Sequence, residues 1–225
     1  MEKEYPKPSV TVDIIVFSVQ NNDLKVLLIK RAIDPFKDNW AIPGGFIKLE
    51  ESLENAAKRE LKEETGIDYA YLEQLYTFGD VNRDPRGRVI TVAYYALLDK
   101  ESAKQIIKAD TDVSDVAWFS VAKLPTLAFD HSKILEYALK RLKWKFEYTT
   151  VGFSMLPKKF TLTDIQETYE TIFNKKFDKR NFRKKILSLG ILKPEGKMKQ
   201  VSNRPPEMYS LKKKIGEVVG ILPSQ

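Results

Sequence analysis

The sequence contains no cysteine and only one histidine, His131, among its 225 residues. Without cysteine there can be no disulfide scaffold, no zinc–thiolate finger and no cysteine nucleophile. A single histidine also excludes zinc sites that are built on several imidazoles. Metal sites built on cysteine thiolates or on a histidine cluster are therefore excluded.

Long apolar runs are also missing. No stretch approaches the roughly 18 apolar residues that a membrane span needs, and Met1–Pro6 contains no apolar signal core. Nothing marks export, so we expect a cytoplasmic protein with no membrane partner. Hydrophobic residues make up 43% and charged residues 31% of the chain, which is ordinary for a folded protein and argues against a mainly disordered one.

The positive charge is concentrated in the last third of the chain. Residues 1–150 contain 22 Lys and Arg against 24 Asp and Glu, a net charge of −2, whereas residues 151–225 contain 16 against 7, a net charge of +9. Such asymmetry suggests a ligand-binding or enzymatic module joined to a nucleic-acid-binding module. A solvated basic tail would have the same composition, so charge alone leaves both interpretations open.

The first half of the chain has clear strand and helix patterns. Runs rich in β-branched residues predict strands at 11–19, 24–31, 76–79, 89–98 and 116–119. The turn residues Asn21 and Asn22 predict that the first two strands form a hairpin. A helix is expected to begin after Ser52 and to end at Gly66, and another is expected at 130–146.

The helix after Ser52 carries three closely spaced carboxylates. Glu60 and Glu64 are one helical turn apart, and Glu63 lies beside Glu60. Like charges at these spacings destabilise an isolated helix, so they need a counter-charge. Mg2+ prefers oxygen ligands and would supply it. Arg59 is expected to point elsewhere and to pair with Glu51. The alternative is a solvated helix without chemistry.

The spacing of this segment decides against the solvated helix. The defined residues fit the pattern GX5EX7REUXEEXGU, where U is aliphatic, and they are Gly45, Glu51, Arg59, Glu60, Leu61, Glu63, Glu64, Gly66 and Ile67. This pattern is the Nudix box, and residues 8–147 resemble Nudix hydrolases, which cleave nucleoside diphosphates linked to another moiety. The resemblance implies Mg2+ or Mn2+ as cofactor, with Glu60, Glu63 and Glu64 as metal ligands and catalytic residues. The metal would neutralise the diphosphate and activate water.

Two loops narrow the substrate. The segments 31–46 and 82–89 resemble the loops before and after the box in ADP-ribose pyrophosphatases. The resemblance and the forked donors of arginine predict that the substrate is bound by Arg31, Phe36, Gly45, Arg83, Arg86 and Arg88. Asp80 and Asp84 are both candidates for the general base. His131 follows Phe129 and Asp130 at a helix start, and we interpret it as a capping or packing residue.

The basic last third predicts a second fold. A helix begins at a threonine cap near Thr161, Asp178 caps a second and basic helix, and the segments 191–196 and 208–211 can pair as a hairpin. This order is typical of a winged helix-turn-helix, whose second helix enters the major groove of DNA. The expected DNA contacts are Lys179, Arg180, Asn181, Arg183, Lys184 and Arg204. A helical appendage that serves as a dimer arm is the alternative.

The whole chain resembles the Nudix-related transcriptional regulators. Segments 152–166 and 178–186 are similar to that family's linker and recognition helix. The resemblance implies an α/β fold, with a Nudix α/β/α sandwich and mixed sheet over residues 1–150 and a small winged helix-turn-helix domain over residues 151–225. It also implies a double-stranded DNA operator as partner and ADP-ribose or a related nucleotide as ligand. Because winged-helix regulators usually bind two half-sites, we also expect a homodimer.

Three functions fit these features. The first is a regulator whose Nudix domain binds and hydrolyses ADP-ribose, and we favour it. The second is a plain ADP-ribose pyrophosphatase with a basic assembly domain, and the third is a regulator that senses a sugar without cleaving it. The complete box favours the first two, whereas the helix after Asp178 favours the first and the third.

Overall fold

The computed structural model describes residues 5–68, 71–105, 113–198 and 205–222. The chain folds into two compact units. The first unit comprises Met1–Phe17, Val26–Ala96 and Gln105–Ala138, and the second comprises Ser18–Lys25, Leu97–Lys104 and Leu139–Gln225. None of the helices within the ranges that the structure describes combines the length and the apolar composition of a membrane span.

A seven-stranded sheet dominates the first part of the chain. Its strands are β1 (Ser9–Gln20), β2 (Asp23–Arg31), β3 (Trp40–Ala41), β4 (Gly44–Phe46), β5 (Tyr71–Phe78), β6 (Val89–Leu98) and β7 (Val113–Ser120). The strand order is β3-β2-β1-β6-β5, with β4 paired to β1 and β7 paired to β2. Strand β4 runs antiparallel to β1, with Gly45 opposite Val12. All five predicted strands are present.

The turn between β1 and β2 has the predicted hairpin chemistry. Asn21 and Asn22 both have positive φ, 54° and 57°. A two-residue hairpin turn of this handedness needs positive φ at both positions, and asparagine tolerates it better than most residues. The predicted hairpin is therefore confirmed.

Both faces of the central strand are covered. Residues 11–18 of β1 are all buried, which is the pattern of a strand with packing on each side of the sheet. Two helices belong to this part of the fold, α1 (Leu53–Thr65) and α2 (His131–Tyr148). Short 3-10 segments follow β6 at Ser102–Gln105 and follow α2 at Thr150–Met155.

The second unit contains a helical pair and a small sheet. Its elements after α2 are β8 (Phe160–Thr161), α3 (Leu162–Phe173), α4 (Lys179–Ser188), β9 (Leu192–Lys197) and β10 (Glu207–Leu211). The sheet has the order β8-β10-β9, and β10 is antiparallel to both neighbours. The predicted order of helix, turn, helix and hairpin is confirmed.

The two helices of this sheet-and-helix group meet through apolar side chains. Tyr169 and Phe182 bring their ring centres to 5.6 Å, and Ile165 and Ile186 are fully buried. Thr161 and Asp164 cap α3 by exchanging side-chain and backbone hydrogen bonds, a capping box. The apolar side chains at this contact, Ile165, Tyr169, Phe182 and Ile186, belong to the predicted apolar stripes of the two helices. The basic residues of α4 lie outside its stripe.

Candidate functional site

Helix α1 carries the three carboxylates, and its two ends are well defined. The hydroxyl of Ser52 accepts a hydrogen bond from the Asn55 N–H at 3.2 Å. Gly66 ends the helix in the left-handed conformation, with φ of 74°, where a residue with a Cβ would be strained. The helix therefore begins and ends where the sequence predicts.

Glu60 and Glu64 lie on the inner side of α1. Glu64 accepts a hydrogen bond from the Gly44 N–H at 2.7 Å. Burial raises the pKa of Glu64 to about 8, although the Gly44 hydrogen bond opposes this effect. Burial also raises the pKa of Glu60, and hydrogen bonding from Arg59 opposes it. A cation beside these groups would stabilise their charged forms.

The guanidinium of Arg59 is a positive charge beside the carboxylates of α1. Its guanidinium donates hydrogen bonds to Glu51 at 3.0 and 2.6 Å, to Glu60 at 2.7 Å and to Glu63 at 2.9 Å. The hydrogen bonds from Arg59 are the main reason that the pKa of Glu51 is lowered to about 2. The expected pair with Glu51 is confirmed, but the expectation that Arg59 points away from the carboxylates was wrong. One long side chain reaches all three partners because Glu60 and Glu63 lie beside it on α1, while Glu51 lies in the loop that precedes the helix.

The donor chemistry of α1 fits a hard divalent cation such as Mg2+ or Mn2+, because its candidate ligands are all carboxylate oxygens. Gly45 leaves room for one of these candidate ligands, because a Cβ at this position would lie 2.5 Å from Oε1 of Glu60. Within the described ranges, however, no three carboxylate or imidazole groups converge as a metal site. In this structure Arg59 donates hydrogen bonds to Glu60 and Glu63, and the Gly44 N–H donates one to Glu64.

A cavity of about 360 Å³ lies beside α1 in the first unit. Its walls combine carboxylates with arginines. The predicted site residues that line it are Arg31, Gly45, Glu60, Glu64, Arg83 and Arg86. An acidic helix opposite arginine side chains suits a metal-bound diphosphate, because the cation and the free phosphate oxygens each find opposite charge.

Three predicted residues do not line this cavity. The side chain of Glu63 is 43% exposed and pairs with Arg59. The ring of Phe36 packs edge-on against Phe129, with ring centres 4.8 Å apart. Arg88 donates hydrogen bonds to two backbone carbonyls of its own loop, at 2.7 and 3.1 Å. Phe36 and Arg88 thus support the loops that carry the lining residues.

Two phenylalanine rings and two arginines form one wall of the cavity. The guanidinium carbon of Arg86 lies 5.1 Å from the ring centre of Phe46 and 5.4 Å from that of Phe129. The guanidinium carbon of Arg31 lies 5.0 Å from the Phe129 ring centre. Such contacts are cation–π interactions. Sequence reasoning missed both rings, although the triplet Phe129-Asp130-His131 at a helix start was a visible signal.

Arg83 is the most deeply buried arginine at the cavity. Its guanidinium donates hydrogen bonds to both carboxylate oxygens of Asp130, at 3.0 and 2.8 Å. It also donates to Asp13 at 3.3 Å. Only 3% of its side chain is exposed. Asp13 lies in a strand dominated by apolar residues, and nothing in its local sequence pointed to this pairing.

The two candidates for the general base have different surroundings. Asp84 lines the cavity, and its oxygens accept hydrogen bonds from the Arg86 side chain at 3.0 and 2.7 Å. Burial tends to raise the pKa of Asp84, but the hydrogen bonds from Arg86 outweigh it and the pKa is lowered. Asp80 lies outside the cavity and pairs with Lys133, which lowers its pKa.

His131 is the first residue of α2 and is fully buried. Its Nδ1 accepts a hydrogen bond from the Ile42 N–H at 2.9 Å, and its Nε2 lies 3.8 Å from Asp13 Oδ1. Burial lowers the pKa of His131. The predicted packing role agrees with this geometry, and the structure adds that the imidazole also lines the cavity.

Helix α4 presents a basic surface in the second unit. Asp178 caps the helix by accepting a hydrogen bond from the Asn181 N–H at 2.8 Å. Four of the predicted DNA contacts are exposed, and they are Lys179, Arg180, Asn181 and Lys184. The fifth, Arg183, is half-buried and donates a hydrogen bond to the Thr163 hydroxyl at 2.8 Å. Arg204, the sixth, lies outside the described residues.

Comparison with known families identifies both parts of the chain. Residues 8–138 match the NUDIX domain, and residues 152–211 match the NrtR DNA-binding winged helix domain. The chain belongs to the Nudix family. Its C-terminal module is an NrtR-type winged helix, so the predicted family and fold class are confirmed.

Three relatives illustrate what this Nudix protein is similar to. It is 40% identical over 210 residues to the ADPR responsive transcriptional repressor NtrR of Acinetobacter baylyi, covering 92% of this chain and 84% of that protein. It is 40% identical over 141 residues to an ADP-ribose pyrophosphatase of Methanocaldococcus jannaschii, covering 63% of this chain and 77% of that protein. Its fold matches Shewanella oneidensis NrtR complexed with a 27mer DNA, with a TM-score of 0.78, 36% identity, and coverage of 90% and 93% of the two chains.

Proposed function

We propose that this Nudix protein is a cytoplasmic transcriptional regulator that binds an operator in double-stranded DNA and responds to ADP-ribose. Residues 1–150 would form the ligand-binding module and residues 151–225 the DNA-binding module. The observation that carries the proposal is the pairing, in one chain, of a cavity lined by Glu60, Glu64 and Arg86 with the basic helix α4. The ADPR-responsive repressor of Acinetobacter baylyi supports ADP-ribose as the ligand, and the DNA complex of Shewanella oneidensis NrtR supports DNA as the partner.

We further propose that the Nudix module hydrolyses ADP-ribose to AMP and ribose 5-phosphate, or a closely related nucleoside diphosphate sugar to the corresponding nucleoside monophosphate and sugar phosphate. Glu60, Glu63 and Glu64 would hold Mg2+ or Mn2+. When bound, the metal neutralises the diphosphate and activates the attacking water. The complete box and the pyrophosphatase relative support turnover.

The other residues of the cavity would bind and orient the ligand. Arg31 and Arg86 offer forked donors to phosphate oxygens. The rings of Phe46 and Phe129 hold these guanidinium groups over the cavity wall. Gly45 lets the backbone and the Glu60 carboxylate approach each other closely. Of the two candidates for the general base, Asp84 is the one that lines the cavity.

A homodimer is part of the proposal. Winged-helix regulators usually bind two half-sites about one helical turn apart, which needs two-fold symmetry in the protein. We expect residues before 150 to form most of the dimer surface. Light scattering should give twice the mass of one 26.0 kDa chain, and the mass of a single chain at micromolar concentration would contradict the dimer.

The test of hydrolysis is release of AMP from ADP-ribose, measured with Mg2+ and with a chelator. Wild type should turn over only with metal, and Glu64→Gln should cut the rate by orders of magnitude, because one charged ligand is lost. The amide oxygen of Gln can still accept the Gly44 N–H, so the fold should survive. The matched control is Glu54→Gln, which breaks an exposed pair with Lys58 on the same helix. If wild type binds ADP-ribose but releases no AMP, the module senses its ligand without cleaving it.

A further inference from the structure

Two of the three arginines in the loop between β5 and β6, Arg83 and Arg86, have opposite surroundings. Arg83 and Arg86 both line the cavity. The Arg83 side chain is 3% exposed and has two carboxylates as partners, Asp130 and Asp13. The Arg86 side chain is 39% exposed and has one, Asp84. The Arg83 guanidinium is thus buried between two carboxylates, whereas that of Arg86 is partly exposed at the cavity.

We propose that Arg83 is a positioning residue, which anchors the loop through Asp130 and Asp13 so that Arg86 faces the cavity. This inference rests on the proposed function, in which Arg86 binds the ligand. It differs from the expectation that all three arginines of the loop contact the substrate.

The connection from Arg83 to Arg86 runs through short-range bonds of the loop itself. Arg83 is followed directly by Asp84, whose side chain is 3% exposed. One oxygen of Asp84 accepts hydrogen bonds from both the backbone N–H of Arg86, at 2.9 Å, and its side-chain Nε, at 3.0 Å. The backbone carbonyl of Asp84 accepts the Gly87 N–H at 3.4 Å. Fixing Arg83 therefore fixes Asp84, and Asp84 fixes Arg86.

The anchor is built to resist movement. Asp130 accepts two parallel hydrogen bonds from Arg83, which is the bidentate geometry that gives arginine pairs their directional strength. Asp130 directly precedes α2, so the loop is tied to a long helix. Asp13 ties the same guanidinium to the central strand β1. Removing one partner of such a buried charge pair is costly, because it leaves the other charge without compensation.

Asp130 itself does not line the cavity. Both carboxylate oxygens of Asp130 accept their hydrogen bonds from Arg83, so we expect an effect of Asp130→Asn on ligand binding to pass mainly through Arg83. Asparagine has nearly the same shape, and the backbone carbonyl of residue 130 can still accept the Lys133 and Ile134 N–H groups at the start of α2. If Arg83 bound the ligand directly, Asp130→Asn would free it from a competitor, and ADP-ribose would bind as well as before or better. The two roles of Arg83 thus predict opposite results.

The experiment measures ADP-ribose affinity by calorimetry, in chelator so that nothing is hydrolysed, for wild type and variants of the full chain. Asp130→Asn should weaken binding by roughly tenfold or more, as loss of one partner of a buried charge pair typically does. Arg86→Met should weaken it comparably. The double variant should match Arg86→Met, because residues that act through one another are not additive. Glu54→Gln should bind like wild type.

A second measurement needs no ligand. Amide hydrogen exchange at Arg86 and Gly87 should be faster in Asp130→Asn than in wild type, and unchanged in Glu54→Gln, because local opening sets exchange of such loop amides. If Asp130→Asn exchanges like wild type in this loop, or binds ADP-ribose equally or more tightly, the positioning role is wrong. If wild type does not bind ADP-ribose, the proposed function fails, while the exchange measurement still decides the role of Arg83.

Discussion

Gly45 packs directly against the carboxylate of Glu60. A Cβ built on Gly45 would lie 2.5 Å from Oε1 and 2.6 Å from Cδ of Glu60. The same carboxylate oxygen receives a hydrogen bond from Arg59 at 2.7 Å. Gly45 and Glu60 are fifteen positions apart in the Nudix box, yet they pack against each other. Because Gly45 has no side chain, the carboxylate of Glu60, a proposed metal ligand, can occupy this position.

Gly45→Ala should therefore damage the metal site. The added methyl group must displace Glu60, and a misplacement of about 1 Å at a reacting centre can cost on the order of a hundredfold in rate. We expect weaker Mn2+ binding by calorimetry and a matching loss of AMP release. Gly79→Ala is the control, because its nearest atom, on Ile90, would be 3.7 Å away, an ordinary contact. Wild-type metal affinity in Gly45→Ala would show that the contact is not functional.

The box was predictable from sequence because it is local. Ser52 and Gly66 define the ends of α1 by chemistry that short spacing reveals, and Glu60 and Glu64 share a face because of the helical period. The hydrogen bonds that Arg59 donates to Glu51, Glu60 and Glu63 were not predictable in the same way. Its contact with Glu51 spans a loop, and its contacts with Glu60 and Glu63 depend on rotamers that the helical period alone does not choose.

The pairing around Arg83 was beyond sequence reasoning for a different reason. Asp13, Arg83 and Asp130 are separated by 70 and 47 positions, and only the sheet and the start of α2 bring them together. A loop with three arginines looks like a ligand site at each of them. Their surroundings in the structure differ. Arg83 is buried and anchors the loop, Arg86 is partly exposed at the cavity, and Arg88 donates hydrogen bonds to backbone carbonyls of its own loop.

His131 should make the protein less stable in mild acid. Burial holds its folded-state pKa below the ordinary value of 6.5, and its Nδ1 already accepts the Ile42 N–H, so a proton there would break that bond. Between the two pKa values the unfolded state binds more protons than the folded state. Stability from this group therefore rises with pH and is lost as pH falls below about 6.5.

The measurement compares wild type with His131→Gln by urea unfolding at pH 7.5 and pH 5.5. The variant should be less stable at pH 7.5, and the gap should narrow at pH 5.5, because only wild type has an imidazole to protonate. The result is the difference in unfolding free energy between the two proteins at each pH. This difference cancels the effect of Glu64, whose raised pKa changes stability with pH in the opposite direction in both proteins. A gap that widens in acid would contradict this account of His131.

The basic surface of α4 should carry the DNA contacts. Replacing Arg180 and Arg183 with Ala should abolish specific binding at physiological salt, since a base contact is worth roughly 1–3 kcal/mol and each lost phosphate contact reduces the salt slope by about one unit. ADP-ribose hydrolysis should be unchanged. The control removes two exposed lysines of other segments, Lys58→Ala with Lys104→Ala. A double arginine variant that still protects the same operator in a footprint would show that another surface reads the DNA.

In the proposed function, ADP-ribose bound to the Nudix module changes the affinity of the winged helix for DNA. Binding of the full chain to DNA from its own promoter region is measured by gel shift, with increasing ADP-ribose, in chelator and in Mg2+. We expect specific DNA binding that ADP-ribose weakens in chelator, and recovery of binding with time in Mg2+ as the ligand is hydrolysed to AMP and ribose 5-phosphate. DNA binding that is equally tight at every ADP-ribose concentration in chelator would contradict the claim that this protein is an ADP-ribose-responsive regulator.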